Sequence, residues 1–138
     1  MAPPVDINYL AVLVAAIASM FVGFLWYGPL FGKTWMKLMG FSEATMKKMK
    51  MTATKAYVIA FIVALVSAYV LARFVDYIQA ATMGDAIAAA FWIWLGFMTP
   101  LNLGSVLWEN KPMKLFLINV AHNLVALIIA AIILTIWV

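Results

Sequence analysis

The chain has 138 residues, 68% of them hydrophobic and only 10% charged, with a formal net charge of +4. Soluble domains are roughly half apolar and a quarter charged, so this composition excludes a soluble domain or a nucleic-acid binder and identifies an integral membrane protein. One domain, 1–138, has room for about four spans of roughly 20 residues, and the absence of cysteine excludes disulfides, thiolate metal sites and a cysteine nucleophile.

In chain order, residues 1–6 carry no Lys or Arg, and Asp6 or Asn8 can cap the first helix. The first apolar run, 7–27, is too long for a signal peptide and has no basic region before it, so it reads as a span. Ala11, Ala15, Ser19 and Gly23 recur every four residues along it, a stripe that admits a closely packed neighbour. Gly28-Pro29 is expected to break the helix.

Residues 28–55 form a basic segment, in which Lys33, Lys37, Lys47, Lys48, Lys50 and Lys55 face the single acid Glu43. Phe31, Trp35, Met36, Leu38 and Met39 interleave with Lys33 and Lys37, the mix of a segment lying among lipid headgroups with its lysines turned outward. Ser42 and Glu43 read as the start of a new helix. The lysines serve as a topology determinant, with specific binding of anionic lipid or of a partner as the alternative.

The second span, 56–75, repeats the small stripe at Ala56, Ala60, Ala64, Ala68 and Ala72. The two stripes are expected to cross tightly, unless this one faces a second copy of the chain. Arg73 and Asp76 are expected to pair with each other, and Thr82 or Asp85 to cap the next helix.

The third span, 86–108, carries Trp92, Trp94, Gly96, Thr99, Pro100, Asn102 and Ser105. Pro100 lacks a backbone donor, so a kink is expected there. The fourth, 115–138, places Asn119, His122 and Asn123 on one face. Buried amides need partners, and Thr99, Asn102, Asn119, His122 and Asn123 are expected to satisfy one another across this second hairpin or to line a cavity beside it. Trp26, Trp35, Trp108 and Trp137 fall where interfacial belts are expected, and Glu109 reads as a surface acid.

With the N-terminus outside, the two inner loops hold every basic residue but Arg73, which predicts an N-out, C-out protein of four transmembrane helices arranged as two antiparallel hairpins. Setting Lys55 against Lys114 aligns Tyr57 with Phe116, Ile59 with Ile118, Leu65 with Leu124 and Val66 with Val125. Leu25-Trp26 and Leu107-Trp108 then mark equivalent corners of a parallel pseudo-repeat. Ala60, Val63 and Ala64 correspond to Asn119, His122 and Asn123, making the first hairpin scaffold and the second the polar site.

The runs Gly23-Phe-Leu-Trp-Tyr-Gly-Pro-Leu-Phe-Gly-Lys-Thr-Trp-Met-Lys37, Phe91-Trp-Ile-Trp-Leu-Gly-Phe97, Leu107-Trp-Glu-Asn-Lys111 and Lys114-Leu-Phe-Leu-Ile-Asn119 with His122 resemble the bacterial membrane family catalogued as domain of unknown function 1761. The resemblance covers nearly the whole chain. It implies a small four-helix protein of a bacterial inner membrane and supplies no activity or ligand.

The residues themselves narrow the function classes. One histidine, no cysteine and acids scattered over both ends give no catalytic pair, metal cluster or cofactor motif, so no enzymatic role is expected. His122, the one side chain that ordinarily titrates near neutrality, could relay a proton, bind a small polar solute, or simply hold two helices in register. The leading expectation is an oligomeric transporter or channel for a small solute or ion. The alternative is an accessory membrane protein that engages a partner or anionic lipid through its basic segment. Because four helices enclose little space, a homo-oligomer is expected in either case.

Overall fold

The computed structural model describes residues 7–40 and 53–137. Its helices are α1 (Tyr9–Leu25), α2 (Gly32–Met39), α3 (Ala53–Tyr77), α4 (Met83–Ile93), α5 (Thr99–Leu107) and α6 (Met113–Ile136). Two wider π-helical turns, Trp26–Leu30 and Trp94–Met98, extend α1 and join α4 to α5. Among the described residues four helices are long and apolar enough to cross a membrane: span 1 (Tyr9–Leu30), span 2 (Thr54–Tyr77), span 3 (Met83–Leu107) and span 4 (Met113–Ile136). The chain is thus built as a multi-pass membrane protein.

The caps follow from residues chosen for them. Asn8 begins α1, its Oδ1 accepting from the Ala11 N–H at 3.1 Å. Thr82 begins α4 in a capping box: its hydroxyl accepts from the Asp85 N–H while the Asp85 carboxylate accepts from the Thr82 N–H. Gln79, at φ 57°, ends α3 in the left-handed region, and the Ala80 N–H then reaches back to the Val75 carbonyl at 3.1 Å.

Two expectations fail here for local reasons. Gly28-Pro29 does not break the first helix, because the π turn absorbs Pro29 and carries the helix on to Leu30. The chain turns instead at Phe31, whose N–H donates to Trp26 O at 2.8 Å. Arg73 does not pair with Asp76; its guanidinium donates to the Tyr69 and Tyr77 hydroxyls at 3.2 and 2.8 Å and lies over both rings. Both tyrosines stand four residues from Arg73, so they share its face of the helix.

Span 4 packs against the other three spans, and span 1 against span 2. The core is largely alanine, including Ala15 and Ala16, Ala68 and Ala72, Ala86 and Ala90, and Ala130 and Ala131. Lipid offers no hydrophobic reward for helix association, so close backbone approach through small residues supplies it by van der Waals contact. The two small stripes meet along half their length: Ala11, Ala15, Ala68 and Ala72 are buried. Their other halves, Ser19 and Gly23 against Ala60 and Ala64, separate and leave a groove.

Helix α2 exposes Lys33 and Lys37 and half-buries Trp35, which meets the edge of Tyr27 with ring centres 5.7 Å apart. Ser42, Glu43, Lys47, Lys48 and Lys50, and the helix start expected at Ser42, lie outside the described residues.

Candidate functional site

The groove left by the diverging stripes has a volume of about 550 Å³, within the usual range of roughly 300–1,000 Å³ for small-molecule sites. Span 1 contributes Ser19, Met20, Gly23, Phe24, Tyr27 and Gly28, and span 2 contributes a face from Tyr57 to Leu71. Span 4 contributes His122, Asn123, Ala126, Leu127 and Ala130. The groove is open on one side: spans 2 and 3 do not pack along each other, and span 3 supplies Met98 alone. Phe24 and Tyr57 stack across one part of the wall, ring centres 5.6 Å apart.

The register that sets Lys55 against Lys114 can be laid over this wall. Val63, Ala64, Ser67, Ala68 and Leu71 of span 2 stand in it against His122, Asn123, Ala126, Leu127 and Ala130 of span 4, and all of them line the groove. The odd-numbered spans match in another way. Trp26-Tyr-Gly28 and Trp94-Leu-Gly96 each open a π turn, and each indole N–H donates to a carbonyl of span 4, Trp26 to Ile118 at 3.0 Å and Trp94 to Val120 at 2.7 Å. Trp108, expected to be the counterpart of Trp26, is 87% exposed at the outer edge of its corner. Trp26 is therefore a half-buried brace and not solely a belt residue, while Trp92 points away from the bundle.

The polar residues of spans 3 and 4 divide. His122 and Asn123 line the groove together, with His122 Nδ1 3.3 Å from Asn123 Oδ1. Asn119 stands beside them and accepts from the Tyr27 hydroxyl at 2.7 Å. Asn102 is used inside its own helix, donating to Met98 O at 2.8 Å, and Ser105 donates to Asn102 O. Thr99 Oγ1 is buried with no hydrogen-bond partner among the described residues. The expected meeting of Asn102 with Asn119 and His122 is thus not made. Pro100, expected to mark a kink, sits in the first turn of α5, directly after the π turn Trp94–Met98. The partners of the span 4 face come from span 1 instead.

His122 is the centre of this arrangement. Its ring packs against Tyr27, with centres 5.0 Å apart, and Trp26 at 6.3 Å. Its Nε2 is buried, with no hydrogen-bond partner among the described residues, and a Cβ on Gly23 would stand 3.4 Å from it. In the tautomer in which Nδ1 donates to the Asn123 carbonyl oxygen, Nε2 carries a lone pair. In that tautomer a ligand that reaches Nε2 must bring an O–H or N–H donor. The rest of the wall, apart from Ser19, Ser67 and the Asn123 amide, suits an apolar body. Ser19, Gly23, Tyr27, Tyr57 and Ser67 were not expected as site residues. The stripe that carries Ser19 and Gly23, and the correspondence of Ala60, Val63 and Ala64 with the polar face, were the signals for them.

No group of three His, Cys, Asp or Glu side chains placed to hold a metal ion occurs among the described residues. The comparison with curated proteins finds no match, and the comparison with solved structures finds none. A family model described as "Protein of unknown function (DUF1761)" matches residues 10–135, nearly the whole chain, and the protein belongs to that family.

Proposed function

We propose that the protein is a small membrane transporter whose substrate binds in the groove between spans 1, 2 and 4. The substrate class that fits is a small neutral solute with an apolar body and an O–H or N–H donor. The observation that carries this reading is His122, a residue of the wall of a largely apolar groove, whose buried Nε2 has no hydrogen-bond partner among the described residues. A buried acceptor is costly when unpaired, and polar groups inside a span are retained where they meet a solute.

The open side of the groove supports a homo-oligomer, in which a second copy or lipid closes the gap beside span 2. We place the protein in a bacterial inner membrane, as two antiparallel hairpins with the N-terminus outside. That orientation puts Lys33, Lys37, Lys55, Lys111 and Lys114 on the inner side with the rest of the basic segment.

Stopped-flow light scattering on proteoliposomes tests the function with glycerol, 1,2-butanediol and 1,2-hexanediol as probes. Permeation above that of protein-free vesicles is expected, strongest for the diols with apolar tails and lost in His122→Phe. Rates equal to those of protein-free vesicles for all three probes would end the transport reading.

A second reading rests on α2, whose exposed Lys33 and Lys37 suit an accessory protein engaging anionic lipid. Co-purification of phosphatidylglycerol, compared between wild type and a variant with Lys33 and Lys37 both replaced by Gln, distinguishes it. An unchanged lipid complement rules it out.

A further inference from the structure

Away from the groove, a second pocket of about 100 Å³ lies where α1 begins and where α3 and α6 end. Thr135 lines it and is 2% exposed, yet its Oγ1 has no hydrogen-bond partner among the described residues. A buried hydroxyl without a partner is costly, and the pocket is the open space beside Thr135. Among the described residues Asp76 is the only charged one on the wall, with Gln79 beside it, and both are exposed at its rim. Its nearest candidate counter-charge along the helix, Arg73, is held by Tyr69 and Tyr77. Two helix C-termini border the pocket, each the negative end of a helix dipole, and the cap carbonyl of the second, Trp137 O, accepts from the Asn8 side-chain amide at 3.4 Å. At the α1 terminus, the positive one, two first-turn donors are already taken by Asn8: the Ala11 N–H by its side chain and the Val12 N–H by its carbonyl.

We propose that this pocket binds one small monovalent cation of the size of sodium, held by the Asp76 carboxylate and the Thr135 hydroxyl with the Gln79 amide oxygen alongside. One carboxylate with neutral oxygens matches a single positive charge, whereas a calcium site draws on several carboxylates. Carbonyls at helix C-terminal ends are a recurrent source of sodium ligands within membranes. The site is independent of the groove and of what the groove carries.

The experiment is thermal unfolding of the purified full-length protein in detergent, in sodium, potassium and choline chloride at equal ionic strength. Sodium is expected to raise Tm by about 3–6 °C over choline, with potassium weaker. Thr135→Val and Asp76→Asn should each abolish the difference. Thr135→Val should also raise Tm in choline, because it removes an unpaired hydroxyl while keeping the side-chain shape. Should Asp76→Asn not fold, Gln79→Leu together with Thr135→Val carries the test. Equal Tm in the three salts, the result expected if the pocket holds only water, overturns the proposal. So does a sodium effect that survives in the variants.

Discussion

The imidazole of His122 rests on the bare backbone of Gly23: a Cβ added there would stand 3.4 Å from Nε2. The floor of the groove is therefore shaped by the absence of a side chain in span 1 as much as by the polar group of span 4. Gly23→Ala should shift the ring by a few tenths of an ångström and leave stability nearly unchanged. Gly23→Val should crowd it, destabilise the protein by about 1–3 kcal/mol and reduce diol permeation. Chemical unfolding in detergent, alongside the light-scattering assay, reads both effects.

The Tyr27 hydroxyl satisfies Asn119 Oδ1 at 2.7 Å across the contact between spans 1 and 4. Tyr27→Phe leaves that oxygen without its donor and should cost about 1 kcal/mol, the size of a hydrogen bond between membrane helices. Adding Asn119→Leu to Tyr27→Phe should recover most of the loss, since both polar partners are then gone. A double variant less stable than Tyr27→Phe alone would show that Asn119 has another role.

Trp26 and Trp94 brace one short stretch of span 4 from two spans, through the carbonyls of Ile118 and Val120. Each Trp→Phe change should cost about 0.5–1.5 kcal/mol. The double change should cost less than the sum, because a stretch released by one indole is freer to move from the other. Trp108→Phe, at the exposed corner, should stay within about 0.5 kcal/mol of wild type. A double-mutant cycle measures the coupling.

The first π turn depends on Gly32, where a Cβ would stand 2.6 Å from the backbone oxygen of Tyr27. Backbone cannot yield as a flexible side chain can, so Gly32→Ala should cost more than about 2 kcal/mol and disturb the seating of Tyr27 and α2. Gly28→Ala is the control, since nothing lies within 4 Å of a Cβ there. The yield and melting temperature of the two purified variants separate them.

Much of this fold is written locally. The span limits follow from runs of apolar residues, and the caps at Asn8 and Thr82 from side chains that can accept a nearby N–H. The partners of Arg73 are legible too, because Tyr69 and Tyr77 stand one turn to either side, although Asp76 offers a formal counter-charge on the same helix. The candidate site was legible in part. Spacing places Asn119, His122 and Asn123 on one face of a helix, but does not say which neighbour that face meets. That choice lies with the alanine contacts of spans 1 and 4 and with the indole braces, which are tertiary. The π turns were hidden for a related reason: a proline predicts a disturbed ladder, not whether the helix ends, kinks or widens around it.

Passage of solute through the groove lined by His122 and Ala64 is open to a direct test, because the chain has no cysteine. Single-cysteine variants Ala64→Cys, on the groove wall, and Val66→Cys, on the exposed flank of the same helix, are reconstituted and alkylated with a bulky maleimide. Permeation of 1,2-hexanediol is then measured by stopped-flow light scattering. Alkylation at Ala64→Cys is expected to return the rate to that of protein-free vesicles, while alkylation at Val66→Cys leaves it unchanged. Full permeation through a vesicle whose Ala64→Cys groove is quantitatively blocked would contradict passage through the groove.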